Sequence, residues 1–172
     1  MRHSLAVALA LLGFACGGGS KATRPGGAQD APAWLADGTG AIRVEGTKRL
    51  QGVGVASGIA DPKARRRQAD AAAREQLQSA VDALAQTLAT MSETTQRNLG
   101  ETTTAIARKA AGQSFTIRDH WVTSDGDERA LAVVEIDALR RALPTVDGDD
   151  RVKGEMAANV DRAFDRLSTR TK

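Results

Sequence analysis

Residues 49–91 hold two successive patterns of apolar positions. From 51 to 59, the odd positions carry Val53, Val55 and Ile59, whereas every even position is glycine or alanine. Because strand side chains alternate between faces, this predicts a strand with one branched apolar face and one nearly bare face. Asp61-Pro62 is typical of a helix start, and apolar residues then recur every three or four positions, which predicts a long helix. Its apolar positions are Ala69, Ala73, Leu77, Ala80, Val81, Leu84 and Leu88. The alanines would let this helix lie close to the bare glycine face.

A second alternating pattern, at 115–137, predicts a β-hairpin. Asp125-Gly126 suits a two-residue tip in which both residues have positive φ. With this tip, Trp121 pairs with Ala130, and His120 lies on the face opposite the core, beside Leu131. The predicted core-facing set is Phe115, Ile117, Trp121, Ala130, Ala132, Val134 and Ile136.

Three further helical segments are predicted. A weaker helix within 92–112 is separated from the long one by a break between 91 and 100, where threonine and glycine lower helix propensity, and it stops at Gly112. A short helical turn at 137–143 is stopped by Pro144. A final amphipathic helix at 149–168 either docks on the domain or packs against another copy of the chain.

Together these elements predict a small two-layer α+β fold. Its antiparallel sheet contains the central glycine-rich strand and the C-terminal hairpin, with a short edge strand at 41–45, packed against one long and one or two shorter helices. The chain has 172 residues with only three phenylalanines, two tryptophans and no tyrosine, so we expect an aliphatic core. Trp34 either packs on the sheet at the domain edge or remains an exposed contact.

The N-terminal segment has the anatomy of a secretory signal. Residues 1–15 combine a basic start with an apolar run that is too short to span a bilayer. The run ends at Cys16, the only cysteine, and Gly17 follows. This arrangement resembles a bacterial lipoprotein signal. The resemblance implies that Cys16 becomes the mature N-terminus and carries a thioether diacylglycerol and an amide-linked acyl chain such as palmitate; an ordinary signal peptide with a chance cysteine is the alternative.

Residues 16–33 are rich in glycine, alanine and proline, and they predict a flexible lipid-anchored tether. By analogy with enteric sorting, in which aspartate after the cysteine retains lipoproteins in the inner membrane, Gly17 implies the outer membrane of a Gram-negative cell. The domain would then face the periplasm. The tether would let it stand off the bilayer or reach a partner.

Charge gives little evidence for a polyanionic partner. The formal net charge is +3, and removal of residues 1–15 deletes one arginine and no acid, which leaves 23 − 21 = +2. This excess is too small to indicate nucleic acid. The run Arg65-Arg66-Arg67 is either a solvated face or a contact for phosphate or anionic lipid near a membrane.

The sequence lacks the parts of a catalytic or metal site. After processing, His120 is the only histidine and no free thiol remains to complete a site. Asp125-x-Asp127 lacks the other ligands of a calcium loop, and Gly52-x-Gly54 lacks the third glycine and the acidic residue of a dinucleotide site. We therefore expect no enzyme activity, no cofactor beyond the lipid on Cys16, no metal and no small-molecule substrate.

From Pro32 onward the chain resembles the LPP20-type bacterial lipoproteins, particularly deltaproteobacterial members. The segments that carry the resemblance are PAWL at 32–35, GVGVASGI at 52–59, IRDHWVTSDGDERALAVVEID at 117–137 and NVDRAFDRL at 159–167. Leu50 and Arg129 depart from the aromatic residues usual in the family. The resemblance implies an α+β domain at 34–147 followed by a C-terminal amphipathic helix at 148–172.

Some members of this family are linked to flagellar outer-membrane structures or surface antigens, and several form oligomers. The resemblance thus implies a structural or assembly subunit of an envelope complex, either as a homo-oligomer or with other envelope proteins. The alternative is a monomeric periplasmic module that binds an envelope ligand such as peptidoglycan or anionic lipid. That alternative predicts a basic patch around Arg65, Arg66 and Arg67.

Overall fold

The computed structural model describes residues 31–92 and 98–168. The predicted signal peptide, Cys16 and the tether up to residue 30 lie outside the described residues. The helices are α1 (Ala33–Asp37), α2 (Pro62–Met91), α3 (Leu99–Ser114), α4 (Ile136–Ala142) and α5 (Asp150–Ser168), with a 3₁₀ turn at Leu143–Thr145. The strands are β1 (Gly40–Val44), β2 (Thr47–Ala56), β3 (Thr116–Val122) and β4 (Glu128–Glu135). They form one antiparallel sheet in the order β1-β2-β4-β3, which confirms the predicted α+β class.

Helix α2 lies directly on the glycine face of β2. The Asp61 side chain accepts hydrogen bonds from the amides of Lys63 and Ala64, which caps the helix as predicted. A Cβ added to Gly52 would lie 2.1 Å from the backbone nitrogen of Leu77. Because glycine has no Cβ, the α2 backbone lies closer to this strand than any residue with a side chain would allow.

The helix boundaries follow the predictions with small differences. Helix α2 ends at Met91 and α3 begins at Leu99, so the break between them is confirmed. Helix α3 continues past Gly112 to Ser114, and Pro144 lies inside the 3₁₀ turn that follows α4. Helix α5 docks on its own domain, because its apolar stripe is buried in the main core. The buried residues of that stripe are Val152, Met156, Val160, Ala163 and Phe164.

The predicted hairpin register is wrong by one residue. The amide of Thr123 donates to the Asp127 carbonyl at 2.9 Å, the amide of Gly126 donates to the Thr123 carbonyl at 3.0 Å, and only Gly126 has positive φ, at 86°. This is a three-residue loop built on a type I turn with a left-handed glycine, rather than a two-residue tip. Trp121 therefore pairs with Arg129 instead of Ala130.

An irregularity between Ile117 and Asp119 restores the predicted side for the first half of β3. Ile117 packs against the main core between the sheet and the helices, whereas Trp121 lies on the outer face of the sheet. A one-residue shift moves every side chain to the other face, and a bulge shifts it back. The predicted core-facing position of Trp121 is therefore wrong, and so is the predicted outward position of His120.

Candidate functional site

The outer face of the sheet is covered by α1, the element that directly follows the tether. Trp34 is 8% exposed and packs against Leu131 and Val133, so it packs on the sheet rather than forming an exposed contact. Its indole nitrogen donates a hydrogen bond to Asp119 Oδ2 at 2.8 Å. The start of the domain is thus fixed to the outer face by one large aromatic residue.

Strands β1 and β3 are the two edges of the sheet formed by the described residues, and Asp119 protects the β3 edge. The amide of Thr123 points toward β4 and donates to the Asp127 carbonyl. Because the direction of the amides alternates along a strand, the amide of His120 points away from β4. Asp119 Oδ1 accepts that amide at 2.8 Å. This contact satisfies an edge amide that could otherwise pair with another strand, and the bulge at Arg118 interrupts the regular edge.

His120 forms a close pair with Asp70 of α2. The His120 Nε2 atom lies 2.6 Å from Asp70 Oδ1, and both side chains are partly buried. No hydroxyl or thiol of the described residues hydrogen-bonds to this pair, so the geometry supplies a tie between α2 and β3 rather than an activated nucleophile. The three-residue loop, which sequence analysis missed, is what turns His120 toward the helix.

The three consecutive arginines of α2 do not form one surface. Arg65 and Arg66 place their Nε atoms 3.6 and 3.4 Å from the carboxylate of Glu128, whose side chain is only 6% exposed. Arg65 also donates to the Ile59 carbonyl at 3.2 Å. Because a buried carboxylate requires charge compensation, these two arginines have an internal partner. Arg67 points into solvent, and no carboxylate of the described residues pairs with it.

A shallow groove of about 180 Å³ lies between α2 and the end of α3. The Arg74 guanidinium lies over the Phe115 ring, 5.4 Å from its centroid, at the rim of this groove. Its lining residues are Arg74, Leu77, Gln78, Val81, Ala111, Gly112 and Phe115. The groove has an apolar floor and a cationic rim, which is the chemistry of a binding surface for an apolar group that carries negative charge nearby.

Ion pairs tie the helices to one another and to the sheet. Arg108 of α3 donates two hydrogen bonds to Asp82 of α2, at 2.8 and 2.6 Å. These bonds lower the pKa of the Asp82 carboxyl below its ordinary value. Lys48 lies 3.0 Å from both Asp161 and Asp165, and it thereby ties α5 to the sheet.

A scan against protein-family models, a search of curated proteins and a search of solved structures each returned no match. Within residues 31–92 and 98–168, no helix has the length and apolar character to cross a membrane. The same residues contain no group of three or more histidine, cysteine, aspartate or glutamate side chains arranged to hold a metal ion.

Proposed function

We propose that this protein is a lipid-anchored component of the cell envelope that acts by binding or assembly rather than by catalysis. The observation that carries the proposal is the order of segments at the N-terminus. A short signal-like stretch ends at Cys16, and the glycine-rich tether at 16–33 runs directly into α1. Acylation at Cys16 would anchor the chain stably, since several acyl chains together bind a bilayer strongly.

The resemblance to LPP20-type lipoproteins supports an envelope location, with attachment to the outer membrane, and a subunit role in an envelope or flagellum-associated complex. Such a subunit would assemble through a surface other than the apolar stripe of α5, because that stripe is buried in its own domain. The protected edge at Asp119 likewise disfavours assembly by strand pairing through β3.

The second candidate, a monomeric binding module, is favoured by a specific observation. The cationic rim and apolar floor of the α2–α3 groove form an open surface on which a ligand could bind. Sedimentation of the detergent-extracted protein separates the two roles. A discrete oligomer would favour the assembly subunit, whereas a monomer would favour the binding module.

The anchor itself is tested by mass spectrometry of the membrane-extracted mature N-terminus, with wild type compared with Cys16→Ser. We expect an acylated N-terminal cysteine in wild type, and loss of both acylation and membrane association in the variant. A wild-type chain that is unmodified and fully soluble would overturn the proposal.

A further inference from the structure

One flank of α2 carries three exposed cations. Lys63, Arg67 and Arg74 are separated by four and seven residues, so they lie along one side of the helix. All three are exposed, and none forms an ion pair with a carboxylate in residues 31–92 or 98–168. We call these three residues the basic stripe. At 1.5 Å per residue the stripe is about 16 Å long.

The basic stripe lies alongside β3 and leads to the groove. Asp70, on the same flank, contacts His120 of β3, and Arg74 lies over Phe115, the residue that precedes that strand. Asp70 lies on this flank between Arg67 and Arg74, and its carboxylate contacts His120 rather than either arginine. The flank therefore carries three cations against one carboxylate, and this net positive charge ends at an apolar groove.

The size and shape of the groove limit its occupant. A volume of about 180 Å³ is below that of pockets that enclose a whole drug-sized ligand, and it suits one large side chain. A stripe of about 16 Å matches roughly five residues of extended chain. The two features together describe a linear occupant with one apolar anchor.

We infer that the basic stripe and the groove form a docking site for an acidic segment of a partner protein. The segment would lay carboxylates along Lys63, Arg67 and Arg74 and insert one bulky apolar side chain beside Phe115. This inference rests on the proposed binding role, but it does not depend on acylation of Cys16.

A bilayer surface fits these observations less well. Insertion into lipid requires apolar side chains that protrude, whereas the apolar element here is concave. The large apolar residues that are exposed within the described chain are Val55 and Val122, at 41% and 48%. They lie on opposite faces of the sheet, since Val55 follows the helix-facing Gly54 and Val122 follows the outward Trp121. They therefore form no common insertion surface.

The test uses the full chain in a non-ionic detergent and a fluorescent ten-residue peptide with five acidic residues and one central leucine. Fluorescence anisotropy measures the affinity at low and high salt. We expect binding that weakens with salt, and about tenfold weaker binding when leucine is replaced by serine. Replacing all three residues of the basic stripe by glutamine should weaken binding about tenfold or more.

A control set of exposed cations on α3, α4 and α5 has the same composition and gives the same change in net charge. The control set is Lys109, Arg141 and Arg162. Replacing these three by glutamine should leave the affinity within roughly twofold of wild type, because none of them belongs to the basic stripe or lines the groove, and salt weakens their long-range contribution. Equal losses in the two triple variants would overturn the inference.

Gly112→Leu tests the groove without weakening the fold. Gly112 lines the groove inside α3, and an added Cβ there meets no atom within 4 Å. Leucine also favours a helix over glycine, so the thermal unfolding midpoint should not fall. We expect this variant to bind the leucine and serine peptides equally weakly, whereas a retained preference for leucine would contradict the assignment of the groove.

The alternatives give distinct results. Failure of wild type to bind the peptide at low salt would overturn the inference. So would stripe-dependent binding to phosphatidylglycerol vesicles without peptide binding, which would indicate a membrane contact instead. An acylated Cys16 with no peptide binding would refute only the docking site, whereas peptide binding by an unacylated chain would refute only the anchor.

Discussion

The close approach of α2 to the glycine face of β2 predicts that Gly54→Ala severely destabilises the domain. A Cβ at this position would lie 2.1 Å from the Ala73 nitrogen and 2.3 Å from the Ala69 carbonyl oxygen, whereas ordinary contact begins near 3.4 Å. The α2 backbone would have to move by 3.4 − 2.1 = 1.3 Å or more. Because the obstructing atoms belong to helix backbone, no side chain can rotate to relieve the overlap.

The size of the effect follows from two opposed contributions. Overpacking costs about 1–3 kcal/mol where side chains can adjust, and we expect the upper end or more where a 30-residue helix must shift. Alanine regains about 0.5–1 kcal/mol because it has less backbone entropy to lose than glycine. We therefore expect a net loss of about 2–3 kcal/mol, a large share of a typical total of about 5–15 kcal/mol.

Urea unfolding followed by far-UV circular dichroism measures this loss, and Gly112→Ala is the matched control. Position 112 is helical and open, so alanine there should stabilise the protein by about 0.5–1 kcal/mol. The same substitution should thus have opposite signs at the two sites. A loss below about 0.5 kcal/mol at Gly54 would refute the close approach of α2 to the sheet.

Two further substitutions test the contacts that hold the layers together. Asp119→Ala removes the acceptor for the Trp34 indole and for the His120 amide, and it should cost about 1–2 kcal/mol and shift tryptophan emission to the red; unchanged emission would contradict this. The hydrogen bonds from Arg108 lower the pKa of the Asp82 carboxyl in the folded protein. The ion pair therefore stabilises the fold fully above the pKa that this carboxyl has in the unfolded chain, and the stabilisation is lost as the pH falls through the pKa of the folded state. The stability difference between wild type and Asp82→Asn should accordingly shrink below about pH 4, and a constant difference from about pH 7 to about pH 2 would refute the assignment.

The central strand and α2 could be predicted because their determinants are local. Glycine at alternate positions, the Asp61 cap and the spacing of apolar residues all lie within one continuous segment. The hairpin register depends on a choice that local sequence leaves open. Asp-Gly serves a two-residue turn with two left-handed residues and also a three-residue loop with one, and only Gly126 is left-handed here.

The candidate site was harder to predict because neighbours in sequence are not neighbours on a helix surface. The run Arg65-Arg66-Arg67 invites one interpretation, yet successive residues turn by about 100°, and two of them face Glu128. The basic stripe has the helical spacing that identified the apolar stripe. Applying that spacing to cations as well as to apolar residues would have identified it from the sequence.

The arrangement of the two layers makes anchoring compatible with docking. Helix α1 fixes the end of the tether to the outer face through Trp34, whereas the basic stripe runs along α2 on the helix side of the sheet. A lipid attached through the tether would therefore be connected to the outer face of the sheet, opposite the basic stripe. Because the sheet lies between them, membrane attachment would leave the α2 flank and the groove beside Phe115 accessible to a partner.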